Sequence, residues 1–521
     1  MARESPQGTP LDGVEVAVVG AGFGGLSAAC YLADAGADVT VLERHEHPGG
    51  LAGRIERDGF RIDTGPSWYL MPDVFDRFFA RFGREPAEYY ELTQLDPGYT
   101  IQWKDGDRAR VPADRAGQKA LFEEYEPGAG HRLDEYLADA EETYELGMDR
   151  FVYPSRSRLR DMLDTDVVRS VRALPKLRPM DDHVREYFEH PKLRQIAEYK
   201  LVFLGGSPYN TPALYTLMSH VDMNLGVSHP TGGIASVIDG LVELAEELGA
   251  EIETNAAVTR IDPDPAEGGG FRLLANGEPR RADRVVANAP PSHVEQELLP
   301  GAYNSRESYW DSRTYAPSAY LLYLGVEGSV EELDHHTLVL PTDWDPHFEA
   351  IFDDPAWPDD PAYYVHAPTK TDPDLAPDDH EIVFVLVPLA PGLEDTPEIR
   401  ERFREQVLDD LAEQTGAEFR DRIVLEEDAC IEDFKRRFDA PEGTALALAH
   451  TLPQTGPLRP AHRAPGVDGL YYVGGYTSPG IGMPMCLLSG EHVTEAITAD
   501  ATGEEGTVPP VVPTSTWRSR L

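Results

Sequence analysis

The sequence is poor in basic residues, and in lysine above all. Against 92 aspartate and glutamate residues stand 46 lysine and arginine residues, which gives a formal net charge of -46 over 521 residues. Such a protein would repel a phosphate backbone, so no nucleic-acid partner is expected, and electrostatic docking to anionic lipid is disfavoured for the same reason. Acid-rich, lysine-poor composition along the whole chain is typical of halophilic proteins, because molar salt screens like charges. An acidic mesophilic protein is the alternative.

Cysteine is also scarce, and long apolar runs are missing. Cys30, Cys430 and Cys486 are odd in number and lie at no zinc-ligand spacing, which favours a reducing compartment over a disulfide framework. The first residues, MARESPQGTP, lack the apolar region of a secretory signal. No run reaches the ~18 apolar residues of a membrane-spanning helix. We therefore expect a cytoplasmic protein that does not cross a membrane.

Several histidines lie on proline-rich loops without the pattern of a metal site. They are His45, His47, His229, His335 and His336. Because no carboxylate or cysteine set stands at ligand spacing beside them, the sequence predicts no metal.

Glycine is abundant where a dinucleotide would bind. VEVAVVG is a short apolar run typical of a buried parallel strand, the small-residue helix LSAACYLADAG follows, and ADVTVLE supplies a second strand. Gly20, Gly22 and Gly25 fit the G-x-G-x-x-G fingerprint between strand and helix, which predicts a pyrophosphate site at the helix N-terminus. Glu43 ends the second strand, where a carboxylate can bind ribose hydroxyls. The fingerprint suits nicotinamide and flavin alike, but the second glycine-rich loop HEHPGGLAG, residues 45–53, favours a longer cofactor.

Later stretches return to the same alternation of helix and strand. IASVIDGLVELAEELG predicts an amphipathic helix, and EIETNAAVTRI and RADRVVANAPPSHV contain strands. The regions between them are rich in aromatic residues and in strand-like runs such as HEIVFVLVPL. We therefore predict an α/β protein in which a discontinuous nucleotide-binding domain carries an inserted mixed α+β substrate domain. The predicted boundaries are 12–71, 230–300 and 441–500 for the first domain, 72–229 and 301–440 for the second, and 501–521 for a disordered tail.

One long stretch near the C-terminus carries no charge. YYVGGYTSPGIGMPMCLLSG, residues 471–490, combines glycines that allow close backbone approach with prolines that stiffen the loop. Its methionines offer soft apolar surface. The stretch is predicted to close over the cofactor ring and to form a wall for an apolar substrate; a buried strand and helix start is the alternative.

VVGAGFGGLSAACYLADAGADVTVLERHEHPGG resembles the N-terminal signature of FAD-dependent amine oxidases and desaturases, and most closely the bacterial-type phytoene and carotenoid desaturases. GFRIDTGPSWYLMP, RVVANAPPSHV and VGGYTSPGIGMPMCLLSG are similar to further blocks of that family, so the resemblance covers residues 14–497. It implies FAD, a Rossmann-like FAD-binding domain of the GR2 flavoprotein type and, with the acidic composition, a haloarchaeal member. Leu51 stands where many members carry arginine, so that a flavin phosphate either has no arginine partner or is bound by Arg54 instead. Tyr476 replaces the acid of many amine oxidases, as in desaturases.

The resemblance also implies the site residues. Those expected to bind FAD are Gly20, Gly22, Phe23, Gly24, Gly25, Glu43, Arg44, Gly49, Gly50, Leu51, Pro66, Ser67, Val258, Gly474, Gly475, Gly482 and Met483. Those expected to line a substrate channel are Trp68, Tyr69, Leu70, Met71 and Met485. The apolar stretch 201–219 is assigned to the channel or its mouth.

The implied activity is desaturation of an acyclic carotenoid of the phytoene-to-lycopene type, by hydride transfer to flavin. Asp161 is the candidate base, with a helix-surface acid as the alternative. Three other functions stay open: a 3,4-desaturase for a longer or hydroxylated carotenoid, a non-catalytic prenyl-binding protein, and a soluble amine or porphyrinogen oxidase. A hydrophobic carotenoid dissolves in lipid, so we expect monotopic hydrophobic contact of the channel mouth with a membrane surface, and a quinone or oxygen as electron acceptor.

Overall fold

The computed structural model of the chain describes residues 9–155, 178–264, 269–303 and 307–503. The strands are β1 (Glu15–Val19), β2 (Asp38–Leu42), β3 (Arg54–Arg57), β4 (Phe60–Asp63), β5 (Leu92–Gln94), β6 (Tyr99–Trp103), β7 (Arg108–Val111), β8 (Ser228–Pro230), β9 (Glu251–Glu253), β10 (Val258–Pro263), β11 (Phe271–Ala275), β12 (Glu278–Ala282), β13 (Arg284–Ala287), β14 (Ser318–Glu327), β15 (His336–Leu340), β16 (Tyr363–His366), β17 (His380–Leu389), β18 (Ile423–Ala429) and β19 (Leu470–Tyr472).

The α-helices of the same residues follow in chain order. They are α1 (Phe23–Asp34), α2 (Pro72–Arg81), α3 (Arg115–Tyr125), α4 (Ala129–Gly147), α5 (Met180–Val184), α6 (Pro191–Glu198), α7 (Leu217–Met223), α8 (Ile234–Glu247), α9 (Pro291–His293), α10 (Glu307–Asp311), α11 (Asp345–Phe352), α12 (Pro397–Thr415), α13 (Ile431–Phe438) and α14 (Met483–Thr502). Within the described ranges, none of these helices has the length and apolarity needed to cross a lipid bilayer.

A five-stranded parallel sheet in the order β19-β13-β1-β2-β9 forms the first lobe, which we call the parallel-sheet lobe. The apolar run of β1 is buried on both faces, as expected for a central parallel strand. Helices α1, α8 and α14 cover one face, and the small sheet β10-β11-β12 covers the other. The strands come from three separate stretches of chain. This arrangement confirms the Rossmann-like α/β prediction.

A seven-stranded sheet in the order β18-β14-β17-β16-β15-β6-β7 forms the second, mixed-sheet lobe. Its pairs are antiparallel except β15 with β6, which run parallel. Side chains alternate between its faces, so Leu322 and Leu324 of β14 pack beneath α12, whereas Leu321 and Tyr323 face the helical layer that includes α3, α4 and α6. The mixed α+β character of this lobe agrees with the predicted insertion.

One segment at which the two lobes meet is residues 64–71, which we call the connecting loop. The Tyr323 hydroxyl of the mixed sheet donates to the Thr64 carbonyl oxygen at 2.7 Å. Just before the loop, Asp63 accepts the backbone N–H groups of Ile234 and Ala235 at 2.7 and 3.0 Å and so caps α8 of the parallel-sheet lobe. Helix α2, which the predicted division assigns to the second domain, packs its phenylalanines into the core of the parallel-sheet lobe.

Candidate cofactor and substrate site

The turn between β1 and α1, residues 20–25, is shaped by close backbone approach. Gly20 has a φ of 98°, a conformation that other residues rarely adopt. A Cβ on Gly25 would overlap the Gly20 carbonyl oxygen, so helix and strand could not pack with any side chain there. Gly22, in extended conformation, is the N-cap of α1 and offers no capping side chain. The N–H groups of the first helical turn therefore remain available to an anionic ligand.

Glu43, at the end of β2, fixes the backbone beside this turn. Its buried carboxylate accepts the N–H groups of Ala21 at 2.7 Å and His45 at 2.8 Å. A carboxylate has about four lone-pair positions, so acceptor capacity remains for ribose hydroxyls. The second glycine loop, residues 45–53, folds back on the first, because Gly49 donates its N–H to the Ala21 carbonyl at 2.8 Å.

Asn288 is a residue of this site that sequence reasoning missed. It follows β13, the strand beside β1, and its side chain fills the space between two glycine turns. A Cβ would lie 2.7 Å from the Asn288 amide at Gly22 and 2.6 Å from it at Gly474. The available signal was a polar residue directly after a buried apolar strand, since ligands bind at the carboxyl ends of parallel strands.

The uncharged stretch forms a closing loop, residues 474–482, that contacts the first glycine turn. A Cβ on Gly24 would lie 2.9 Å from the Gly474 Cα. The Ser489 hydroxyl accepts the Gly474 N–H at 2.9 Å and lies 3.0 Å from the Thr477 hydroxyl. The loop then ends at Gly482, the N-cap of α14. Hydrogen bonds, as well as glycine and proline content, therefore fix its path.

Arg459 is the main anchor of the closing loop, and the sequence did not indicate it. Arg459 is 4% exposed, and its guanidinium donates to the carbonyl oxygens of Gly475 at 2.7 Å and Thr477 at 3.2 Å. It also donates to two carbonyls of the preceding segment, those of Leu448 and Gln454. Burial lowers the pKa of Arg459 to about 10, so it remains charged at neutral pH.

His450 also contacts the closing loop. Its Nε2 accepts the Ile481 N–H at 3.2 Å, and its Nδ1 lies 2.8 Å from the Tyr215 hydroxyl. The ring occupies the space that a Cβ on Gly480 would need, and Gly480 has a φ of 137°. Burial, with the charge of Arg459, lowers the pKa of His450 well below its usual range. The imidazole is therefore a neutral acceptor.

The residues around these loops fit a flavin dinucleotide, because an open helix N-terminus, a ribose-side carboxylate and two further glycine loops share one surface. The family of flavin-containing amine oxidoreductases matches residues 23–498. A carotenoid 3,4-desaturase of Haloarcula japonica is 58% identical over 94% of this chain and 99% of that protein. A zeta-carotene-forming phytoene desaturase of Myxococcus xanthus is 34% identical over 93% of this chain and 94% of that protein. The chain belongs to the carotenoid desaturases of this flavoprotein family.

Solved structures support the same fold. An oxidoreductase of Methanosarcina mazei superposes with a TM-score of 0.58 at 18% identity, covering 92% of this chain and 99% of that one. Membership of the family confirms the predicted oxidoreductase class and the predicted FAD cofactor. The halophilic character read from composition fits the haloarchaeal relative.

The other predicted flavin residues are spread around the loops. Arg44 forms an ion pair with Asp439, and Leu51 is 39% exposed. A Cβ on Gly65 would overlap the Leu51 carbonyl, so the connecting loop packs directly on the second glycine loop. Arg54, the predicted substitute for a missing arginine, pairs with Asp239 at 2.6 Å and with a glutamate of its own strand. Four further predicted residues border these features: Phe23 begins α1, Pro66 and the buried Ser67 lie in the connecting loop, and Met483 begins α14.

Val258 lies apart from the glycine loops in sequence. It begins β10 and pairs with Ala275 of β11 in the small sheet that covers the parallel sheet. Its backbone pairing places Val258 in the small sheet of the parallel-sheet lobe. Its predicted contact with the cofactor stays a prediction.

The predicted channel residues divide into three environments. Leu70, Met71 and Met485 share one apolar cluster with residues of α2, α4, α7 and α14. Trp68 instead packs on the mixed-sheet core and stacks on His336, with ring centroids 4.3 Å apart and planes 8° apart. Tyr69 turns into the core of the parallel-sheet lobe, where its hydroxyl lies 3.0 Å from that of Tyr90. It is 1% exposed, so the structure places Tyr69 away from the other channel candidates.

The stretch 201–219 reaches two of these environments. Leu217 and Met218 join the apolar cluster, and Leu201 is buried in the mixed-sheet core. The candidate base Asp161 lies outside the described residues.

Proposed function

We propose that this chain is an FAD-dependent carotenoid desaturase that introduces the 3,4 double bond of an acyclic carotenoid. The observation that carries the proposal is the 58% identity with a carotenoid 3,4-desaturase, compared with 34% for a phytoene desaturase, over almost the same length. The motifs alone ranked phytoene first. The higher whole-chain identity supports the 3,4-desaturase as our proposal, and phytoene stays the alternative substrate.

The chain holds FAD through backbone more than through side chains. The N-terminus of α1 and the turn 20–25 would bind the diphosphate, Glu43 would bind ribose, and the closing loop 474–482 would cover the ring. FAD supplies the two-electron oxidation when it is bound. The protein would orient the substrate and exclude water from the reacting bond.

A carotenoid offers few hydrogen bonds, so its binding rests on buried apolar area, at about 25 cal/mol per Å². The apolar cluster around Met71 and Met485 provides such a surface next to the N-terminus of α14. Methionine side chains adapt to an irregular polyene, and their enclosure excludes water from the reacting bond. We assign this cluster as the wall against which the chain end of the substrate lies.

Hydrogen bonds from the mixed-sheet lobe orient the connecting loop. The Ser67 hydroxyl lies 2.9 Å from the Tyr364 hydroxyl, which lies 2.6 Å from His336 Nδ1. Burial, with three neighbouring histidines, lowers the pKa of His336 well below its usual range, so this imidazole is neutral at pH 7 and is a weak proton acceptor. We therefore assign Ser67, Tyr364 and His336 to positioning the loop, and keep Asp161 as the proposed proton acceptor.

The substrate enters from lipid in this proposal. A channel mouth of low charge on a strongly acidic protein would contact a bilayer through apolar area, which places the protein at the cytoplasmic membrane surface. A quinone dissolved in the same bilayer is the proposed acceptor of the electrons, with oxygen as the second candidate.

The test is reconstitution in molar KCl with FAD and liposomes that carry either phytoene or an already conjugated acyclic carotenoid. The expected result is a yellow protein that lengthens the chromophore of the conjugated carotenoid, seen by chromatography and a red shift in absorption, and acts slowly on phytoene. The reverse preference would reject the 3,4 assignment. A colourless protein that takes up no FAD would reject the desaturase function altogether and favour a prenyl-binding role.

A matched pair of variants tests the apolar wall. Met485→Glu places a carboxylate in the cluster and should lower turnover at least about tenfold while FAD stays bound. Leu458→Glu introduces the same charge at a leucine that is 50% exposed and should leave turnover unchanged. Equal turnover in both variants would remove the cluster from the substrate site.

A further inference from the structure

Three buried histidines from separate elements meet inside the mixed-sheet lobe. His229 lies in β8, His335 directly precedes β15, and His366 ends β16. Each is at most 6% exposed. One nitrogen of each ring can be chosen such that the three atoms lie within 4.8 Å of one another. We call these residues the histidine cluster.

Two separations between polar atoms of the cluster match the edges of a coordination tetrahedron. His335 Nε2 and His366 Nε2 are 3.2 Å apart. His229 Nε2 is 3.6 Å from the Oδ2 atom of Asp372, too far for a hydrogen bond. Zinc–ligand bonds of about 2.0–2.1 Å at tetrahedral angles hold neighbouring ligand atoms about 3.4 Å apart. Both pairs therefore already have the separation that one shared ion would give them.

The outer atoms of the cluster are fixed as they are in metal sites. His335 Nδ1 lies 2.7 Å from the Thr371 hydroxyl, which leaves Nε2 directed at the cluster. Asp372 Oδ2, the oxygen that faces His229, also accepts the Gly232 N–H at 2.6 Å, which fixes the carboxylate in place. Hydrogen bonds of this kind orient metal ligands and set which ring nitrogen binds.

His229 Nε2 is a buried atom with no hydrogen-bond partner among the described residues. Leaving such a group unpaired destabilises the folded protein. Burial lowers the pKa of His229, and lowers those of His335 and His366 far more. The imidazoles are therefore neutral and present lone pairs, while the Asp372 carboxylate is 7% exposed. A divalent cation would satisfy all of these groups at once.

We propose that His229, His335, His366 and Asp372 bind one divalent first-row transition metal, with Zn²⁺ as the fitting ion. Four protein ligands make a closed site, so the metal is structural and does not touch the substrate. The metal would link β8, which precedes α8 of the parallel-sheet lobe, to strands β15 and β16 of the mixed sheet. The three histidine nitrogens, which lie within 4.8 Å of one another, would approach by roughly 1.4 Å at most to reach the spacing of tetrahedral ligands.

Metal content of the flavin-loaded protein tests the site. Protein stripped with a chelator and dialysed in molar KCl against equimolar Zn²⁺ should retain one equivalent in the presence of excess Mg²⁺, because hard cations displace zinc from surface carboxylates and not from imidazoles. His366→Gln should retain less than about a tenth of that amount. The control His347→Gln changes a buried histidine of the same lobe whose Nδ1 accepts a backbone N–H, and should bind as the unchanged protein does.

A spectroscopic measurement guards against unfolding of the variant. Co²⁺ in the unchanged protein should give the strong visible bands of a tetrahedral ion, beyond the flavin absorption. Thr371→Val, which removes only the hydroxyl behind His335, should weaken Zn²⁺ binding about 10–100-fold. Failure of the unchanged protein to take up zinc, a weak octahedral cobalt spectrum, or equal zinc in His366→Gln would each overturn the proposal. None of these readouts uses turnover, so their failure leaves the desaturase assignment standing.

Discussion

The flavin loops and the histidine cluster are built in opposite ways. The flavin loops rely on backbone: at Gly22, Gly24 and Gly25 an added Cβ would collide with a neighbour. The histidine cluster relies on side chains that strands from distant parts of the chain bring together. A backbone site tolerates almost no added atom, whereas a side-chain site tolerates a change of shape but not the loss of a polar partner.

The largest effect is expected where the backbone approach is tightest. Gly25→Ala puts a methyl group into the Gly20 carbonyl and separates α1 from β1, so bound FAD should fall below about a tenth of the unchanged protein. Flavin absorbance per chain after gel filtration measures it. Gly301→Ala is the control, because a Cβ there meets nothing within 4 Å. Full flavin content in Gly25→Ala would show that the turn has more room than its geometry indicates.

Removal of the anchor of the closing loop comes next. Arg459→Met removes the donor of four carbonyl oxygens, three of them buried, so the free energy of unfolding should drop by about 3 kcal/mol or more. Denaturant unfolding in molar KCl measures this loss. The exposed pair of Arg260 with Asp262 supplies the control, since Arg260→Met should change stability by less than about 0.5 kcal/mol. Similar losses of stability in both variants would show that Arg459 is not the main anchor of the closing loop.

A smaller effect is expected for the side-chain hydrogen bonds of Tyr364, whose ring lies beside His366 of the histidine cluster. Tyr364→Phe removes the hydroxyl between Ser67 and His336 and leaves two buried polar groups unpaired, which should cost about 1–3 kcal/mol of unfolding free energy. FAD content should stay the same, because the flavin loops are untouched. The exposed Tyr303→Phe serves as the reference. If Tyr364→Phe also lost its flavin, the two regions would be coupled more tightly than their construction suggests.

The smallest effect concerns a carboxyl group on α14. Burial and the charge of Glu491 raise the pKa of Glu495 to about 8, against the opposing charge of Arg77. The folded protein therefore keeps a proton that the unfolded chain releases near pH 4.5, and this contribution to stability is lost as the pH rises from about 4.5 to about 8. Glu495→Gln should melt a few degrees higher than the unchanged protein at about pH 9 and equally at about pH 4. A constant difference across that range would contradict the raised pKa.

Local patterns in the sequence predicted the flavin half of the molecule well. The strand-turn-helix with Gly20 and Gly22, the acid Glu43 and the closing loop are contiguous signals, because each carries its own backbone requirement. Asn288 and Arg459 were missed, since a polar residue after a strand and an arginine in a loop have no local pattern that marks their partners.

The channel and the cluster show the limit of such reasoning. Tyr69 follows Trp68 in sequence but points into the other lobe, because neighbours in an extended segment face opposite sides. The histidines lacked ligand spacing along the chain, yet β8, β15 and β16 bring His229, His335 and His366 together across more than a hundred residues. The strand register brings them together: His336 pairs with His366, so its neighbour His335 also lies close to His366.

The crossing of α1 and α14 sets an order of events during synthesis. At this crossing the Ser27 hydroxyl donates to the Leu487 carbonyl at 2.7 Å, a bond that spans 460 positions of the chain. At about 5–20 residues per second, a ribosome needs roughly 20–90 s to make that stretch. Helix α1 of the nascent chain is therefore synthesised that long before α14, on which it packs. A polypeptide released early would carry the phosphate turn without α14 and the closing loop that pack on it.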